Sequence, residues 1–141
     1  MFRKCYFLTV LLIVMFVSNL WAGLGSLPDI DVSGRWFVIA RGHRYILDIT
    51  LTHNIVTGIL MPAEEKSTFR CLVYGHIDNE LIIMHAHNQA LTFFLDFKGV
   101  VMGRGKSMVL KGTVQHNHIR IYDWYAVRHD NKSIPFKPKL Y

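Results

Sequence analysis

The chain has 141 residues, 51% hydrophobic and 18% charged, which excludes extensive disorder and fits one folded domain rather than a catalytic unit joined to a regulatory one. Its formal net charge is +6 at pH 7 with histidine neutral. The basic residues are scattered from Arg35 to Arg128 instead of forming a dense stripe interleaved with aromatics, so a nucleic-acid partner is not expected.

In chain order, Arg3 and Lys4 precede an apolar run from Cys5 to Val17, followed by polar Ser18 and Asn19 and small Ala22. Basic, apolar, then small is the order of a secretory signal peptide, here residues 1–22. The apolar run falls short of the roughly 20 residues of a membrane span, which favours cleavage after Ala22 over anchoring; the bulky Leu20 argues the other way. The expected location is therefore secreted or periplasmic, at the cell envelope. Removing the signal takes Cys5 and leaves Cys71 without an internal disulfide partner, so the fold must rest on core burial. Cys71 sits in an apolar stretch and reads as a small core residue.

From Ser33 onward, short β-branched and aromatic runs alternate with turn formers: 33–41, 44–52, 55–61, 68–77, 81–87, 91–97, 100–102, 108–115 and 119–128. The connections are too short for crossover helices, which predicts antiparallel hairpins in sequence order. His53-Asn54, Asp78-Asn79 and His116-Asn117 supply turn residues that tolerate positive φ. Tyr45, Leu47, Ile49 and Leu51 mark an inward face, while Gly58, Gly75 and Gly112 recur inside strands where a curling sheet needs bends. The expected fold is all-β: a single antiparallel up-and-down meander β-barrel of about eight strands over residues 23–129. Residues 130–141, with Pro135, Pro138 and three lysines, read as a basic tail able to touch an anionic envelope, and Asn131-Lys132-Ser133 fits a glycosylation sequon.

Gly34-Arg35-Trp36 opens the first strand and Arg128 closes the last. This pairing resembles the calycin superfamily, which includes lipocalins, avidins and small barrel-shaped protease inhibitors. The resemblance implies a barrel in which Arg128 covers Trp36 at one end. Thr57-Gly58 and the 91–97 run are most similar to avidins. Phe37, Val38, Ile39 and Leu60 nevertheless stand where avidins place polar ligand-gripping groups, and Phe94 stands near the ligand-facing tryptophan, so biotin binding is not implied.

Histidines His85 and His87 point to one side of a strand and are weak candidates for a metal, with His76 on the neighbouring strand as a third ligand. No Cys/His cluster or metalloprotease motif accompanies them, and neither a metal nor another cofactor is expected. His116 and His118 flank a turn and read as surface residues. Asp48, Asp96 and Asp123 fall within strands, where an outward face or an arginine salt bridge is the simpler expectation than acid/base catalysis. Asp123 among Tyr122, Trp124 and Tyr125, with Phe94, forms the candidate ligand-binding set, and no catalytic residue is assigned. The resulting expectation is an exported, non-enzymatic binding protein that meets a small apolar ligand or an extracytoplasmic protein at the barrel mouth. There His43, loop 62–67 and loop 85–89 gather. The alternatives are an inhibitor of an extracytoplasmic hydrolase, a cell-envelope assembly factor and, less favoured, an enzyme with a barrel-mouth site. A filled interior favours a protein partner, and a carboxylate paired with histidine in a pocket favours an enzyme.

Overall fold

The computed structural model describes residues 30–64 and 66–130. The signal peptide expected over 1–22, the sequon at Asn131 and the lysines of the tail lie outside the described residues.

Eight strands follow one another: β1 Gly34–Ala40, β2 His43–Thr52, β3 Ile55–Pro62, β4 Cys71–Asp78, β5 Leu81–Asn88, β6 Phe94–Met102, β7 Val109–His116 and β8 Arg120–Arg128. Each pairs antiparallel with the next, and β8 pairs back onto β1 to close the barrel. Closure leaves no sheet edge to template aggregation. A 3-10 turn, Gly105–Ser107, interrupts the β6–β7 connection.

The expected runs 91–97 and 100–102 are one strand. Lys98 and Gly99 stay in register with Ile83 and Ile82 on one side and with Thr113 and Gly112 on the other. Leu91 falls before that strand, in the left-handed region at φ 53°, and 68–70 precede β4. The hairpin turns hold His53 (φ 58°), Asn79 (52°) and Asn117 (47°), with His118 (59°) beside the last. Two-residue turns of positive φ suit the right-handed twist of paired strands.

The strand glycines stand where neighbouring backbone crosses close. A Cβ on Gly112 would lie 2.1 Å from the Lys98 carbonyl oxygen, and one on Gly99 would meet the Trp124 ring at 2.8 Å. Their absence lets the sheet bend sharply and gives the indole of Trp124 its place.

Alternation sends apolar side chains in and charged ones out. Trp36, Leu60, Ile82, Met84, Leu95 and Leu110 are at most 1% exposed, so side chains fill the centre of the barrel. Eight strands give an interior just wide enough for that. Arg35, Asp48, Lys98 and Lys111 face out, the reverse of the polar-in, apolar-out pattern of membrane-spanning barrels. Among the described residues no helix is long and apolar enough to cross a membrane.

At the end where β1 begins, the Arg128 guanidinium lies 4.5 Å from the centre of the Trp36 ring. It donates to the carbonyls of Ser33 and of Asp31, the latter at 2.6 Å, while Trp36 Nε1 donates to the Val32 carbonyl at 2.9 Å. The contact implied by Gly34-Arg35-Trp36 and Arg128 is present, in a barrel compatible with a calycin-like fold.

Candidate functional sites on the rim and outer wall

The opposite end gathers the β1–β2 turn, loop 63–70, loop 89–93 and turn 117–119. Ala63 N–H donates to the Arg44 carbonyl at 3.0 Å, which brings the second loop beside the first turn. Arg41 and Gly42 both take positive φ, at 56° and 73°. The Arg41 side chain folds back over the mouth, 5.7 Å from the Tyr122 ring centre and 5.9 Å from that of Phe93. Phe93 meets Phe69 edge-on and His116 at a tilt, each at 5.1 Å. Arg41 Nε is buried with no hydrogen-bond partner. Burial pushes the Tyr45 phenol up against the pull of Arg41, and burial, then the charge of Arg41, holds the His116 imidazole below its usual range. Cys71 is a core residue without accessible surface, and burial pushes its thiol up to about 11.

Just below this rim, on the outer wall, β5 and β6 place His85 opposite Asp96. His85 Nδ1 lies 2.6 Å from one Asp96 oxygen, and His118 Nδ1, from the β7–β8 turn, lies 3.0 Å from the other. One carboxylate thus orients two imidazoles, each donating through Nδ1–H when neutral. The Tyr74 ring stands 5.3 Å from His85 and 6.1 Å from His87, and Phe94 stands 6.5 Å from His87 and 5.6 Å from His118. Together with Leu91 these residues line a half-open cleft of about 400 Å³.

The metal candidates His85 and His87 lie here, but His76 does not join them: it pairs across from Ile83, one row away. The additional imidazole is His118, and Asp96 occupies the Nδ1 atoms of both His85 and His118. Among the described residues no group of three or more His, Cys, Asp or Glu side chains is arranged to hold a metal ion.

The five candidate ligand-binding residues do not share one surface. Phe94 lines the histidine cleft on the outside, not the interior position that the avidin comparison implies; Phe93 turns toward the core instead. Along β8, Tyr122 points into the mouth beneath Arg41, whereas Asp123 and Tyr125 point outward. Trp124 is turned inward against Phe97 at 5.1 Å, with Nε1 donating to the Lys98 carbonyl at 3.3 Å. Its ring edge underlies a second, shallower groove of about 610 Å³ that Asp123 and Tyr125 share with Lys98, Lys111 and the Gly99-Gly112 backbone. Strand period divides neighbours in sequence between two faces. No protein family, no curated protein and no solved structure matches the chain.

Sequence reasoning missed the pairing of Asp96 with His85 and His118, and the role of Arg41 at the rim. The first was within reach: the hairpin centred on 89–93 pairs 85 with 96 once its register is known. The second was not, because a turn residue's side-chain direction depends on φ.

Proposed function

We propose that the chain is an exported, non-enzymatic binding protein of the calycin-like barrel type, whose partner is another extracytoplasmic protein met on the rim and outer wall of the Arg41 end. The observation that carries this reading is the filled interior. Leu60, Met84, Leu95 and Leu110 leave a small apolar ligand no room at the centre, and Arg41 over Tyr122 and Phe93 covers the mouth. On the wall of the same end, Leu72 (59%), Leu91 (59%), Ile121 (68%) and Ile119 (80%) stand exposed about the polar cleft. Apolar side chains exposed among polar groups are what protein interfaces use. The pairing of Trp36 with Arg128 supports the calycin-like assignment.

The test is a pull-down from the extracytoplasmic fraction beside a titration with a fluorescent fatty acid. A stoichiometric protein partner that Leu72→Asp and Ile121→Asp each release is the expected result. Whether that partner is a hydrolase or an envelope assembly component separates the inhibitor role from the assembly role. Saturable lipid uptake that Leu95→Trp blocks, with no protein captured, would refute the reading.

A second reading has one observation in its favour: histidine paired with a carboxylate in a cleft. His85, oriented by Asp96, has the arrangement of a general base. The cleft lining contains no serine, threonine or cysteine, so such an enzyme would have to activate water or a substrate hydroxyl. Turnover of ester, phosphodiester or glycoside substrates by the wild type and not by His85→Gln would favour it.

A further inference from the structure

The barrel carries two wall carboxylates in opposite situations. Asp48 on β2 is gripped by Arg35, with Nε and a terminal nitrogen each 2.8 Å from a carboxylate oxygen, and this pairing holds its carboxyl below the usual range. Its charge is cancelled. Asp96 on β6 is held only by imidazoles among the described residues, at 2.6 Å from His85 and 3.0 Å from His118. The imidazoles fix the orientation of that carboxylate, and among the described residues no lysine or arginine pairs with it as Arg35 does with Asp48. Each oxygen keeps a second lone pair, and the side chain remains 25% exposed at the floor of the cleft.

Around this floor stand aromatic faces. Tyr74 from β4 and Phe94 from β6 flank His87 of β5, with ring centres 6.1 and 6.5 Å from its imidazole. A positive group is drawn to ring faces within about 6 Å of the centroid and gains more where a carboxylate lies beneath. The titratable groups facing the space are Tyr74, His85, His87, Asp96 and His118. The nearest cation on the outer face of β6, Lys98, is one row further along, opposite Ile83 and Thr113. At about 400 Å³ and half-open, the cleft has room for the head of one basic side chain and its stem.

We infer that this cleft binds an organic cation, an alkylammonium or guanidinium group, presented by a lysine or arginine side chain of the protein partner. The inference rests on the binding reading above and gives that interface its chemistry: an exposed apolar surround at Leu72, Leu91 and Ile121, and a central pocket that selects positive charge. An anion entering the cleft would meet the Asp96 carboxylate.

The experiment is an NMR titration of the full chain at pH 8, where imidazole is ordinarily neutral, following the ring resonances of Tyr74, His87, Phe94 and His118. The probes are N-acetyl-arginine amide, N-acetyl-lysine amide, the neutral isostere N-acetyl-citrulline amide, tetramethylammonium and acetate. Saturable shifts confined to these rings are expected from the arginine and lysine amides, with citrulline at least about ten-fold weaker. Asp96→Asn should weaken the cations by a similar factor, Tyr74→Leu should weaken them less, and Lys98→Met should leave them unchanged. Unaltered melting temperatures separate these losses from misfolding. Equal binding of citrulline, full affinity in Asp96→Asn, or stronger shifts with acetate would overturn the inference. Tetramethylammonium binding more tightly than the arginine amide would overturn the assignment to a partner's side chain in favour of a free quaternary ammonium. Capture of the same partner by wild type and Asp96→Asn alike would remove the cleft from the interface and leave the protein-partner reading standing.

Discussion

Both ends of the barrel are covered by an arginine lying over aromatic rings, yet the two covers differ in kind. Arg128 is 4.5 Å from the Trp36 ring centre and is tied by hydrogen bonds to the carbonyls of Asp31 and Ser33, part of a segment that also accepts from Trp36. Arg41 is further from its two rings, at 5.7 and 5.9 Å; the Nε of each arginine is buried without a hydrogen-bond partner. The same residue type therefore fastens one end through backbone carbonyls and plugs the other by lying over aromatic rings. The fastened end belongs to the architecture. The plugged end lies beside the histidine cleft.

The largest expected effect tests the fastened end. Trp36→Ala removes a fully buried indole from the core and should cost about 3–5 kcal/mol in denaturant unfolding. Arg128→Ala, which loses the cation–π contact and the charged hydrogen bonds to backbone, should cost about 2 kcal/mol. Arg41→Ala should cost less than about 1 kcal/mol. Equal losses for the two arginines would erase the distinction between the ends.

Cys71, first residue of β4 at the plugged end, offers a local probe. With its thiol pushed up to about 11 and no accessible surface, it should label slowly with iodoacetamide at pH 8. Arg41→Ala should speed the labelling several-fold under native conditions, whereas Arg128→Ala should do so only by raising the population of globally unfolded chain. Labelling rates across a denaturant series distinguish local opening from global unfolding.

The smallest effect is pH-dependent. Because burial depresses the His116 imidazole in the folded state, the unfolded chain takes up its proton first. Stability contributed there is complete above the ordinary imidazole value of about 6.5 and falls as pH drops from that value toward the folded one. Asp31 at the fastened end is also depressed, chiefly by hydrogen bonds from Ser33, so its contribution persists until the pH nears the ordinary carboxylate value of about 3.9. Hydrogen exchange between pH 7 and 5 should therefore show protection falling near residue 116 and not near residue 36. His116→Gln should abolish the difference.

The barrel itself was legible because its cues are local. Alternation at Tyr45, Leu47, Ile49 and Leu51 fixes a face, and turn residues such as Asn79 and Asn117 mark the hairpins. The misjudged break at Lys98-Gly99 comes from reading glycine as an interruption when it allows close backbone approach. Trp36 and Arg128 were legible only through a motif, since nothing local joins residues at opposite ends of the domain. The histidine cleft was half legible. The His85-Ala86-His87 spacing shows two imidazoles on one side, but that Asp96 and His118 complete the group depends on hairpin register and on the direction of a turn, which a pattern of residue types does not encode.

The closing strand pair also decides which end of the barrel the described termini share. The described chain enters at residue 30 and leaves at residue 130 on the same side: His129 N–H donates to the Arg35 carbonyl at 2.9 Å, and its ring stacks on Phe37 at 4.4 Å. β1 begins and β8 ends at the fastened end. The first and last described residues thus share one end of the barrel, and Arg41 and the histidine cleft stand at the other, so a substitution near either described terminus acts a full strand length from the rim.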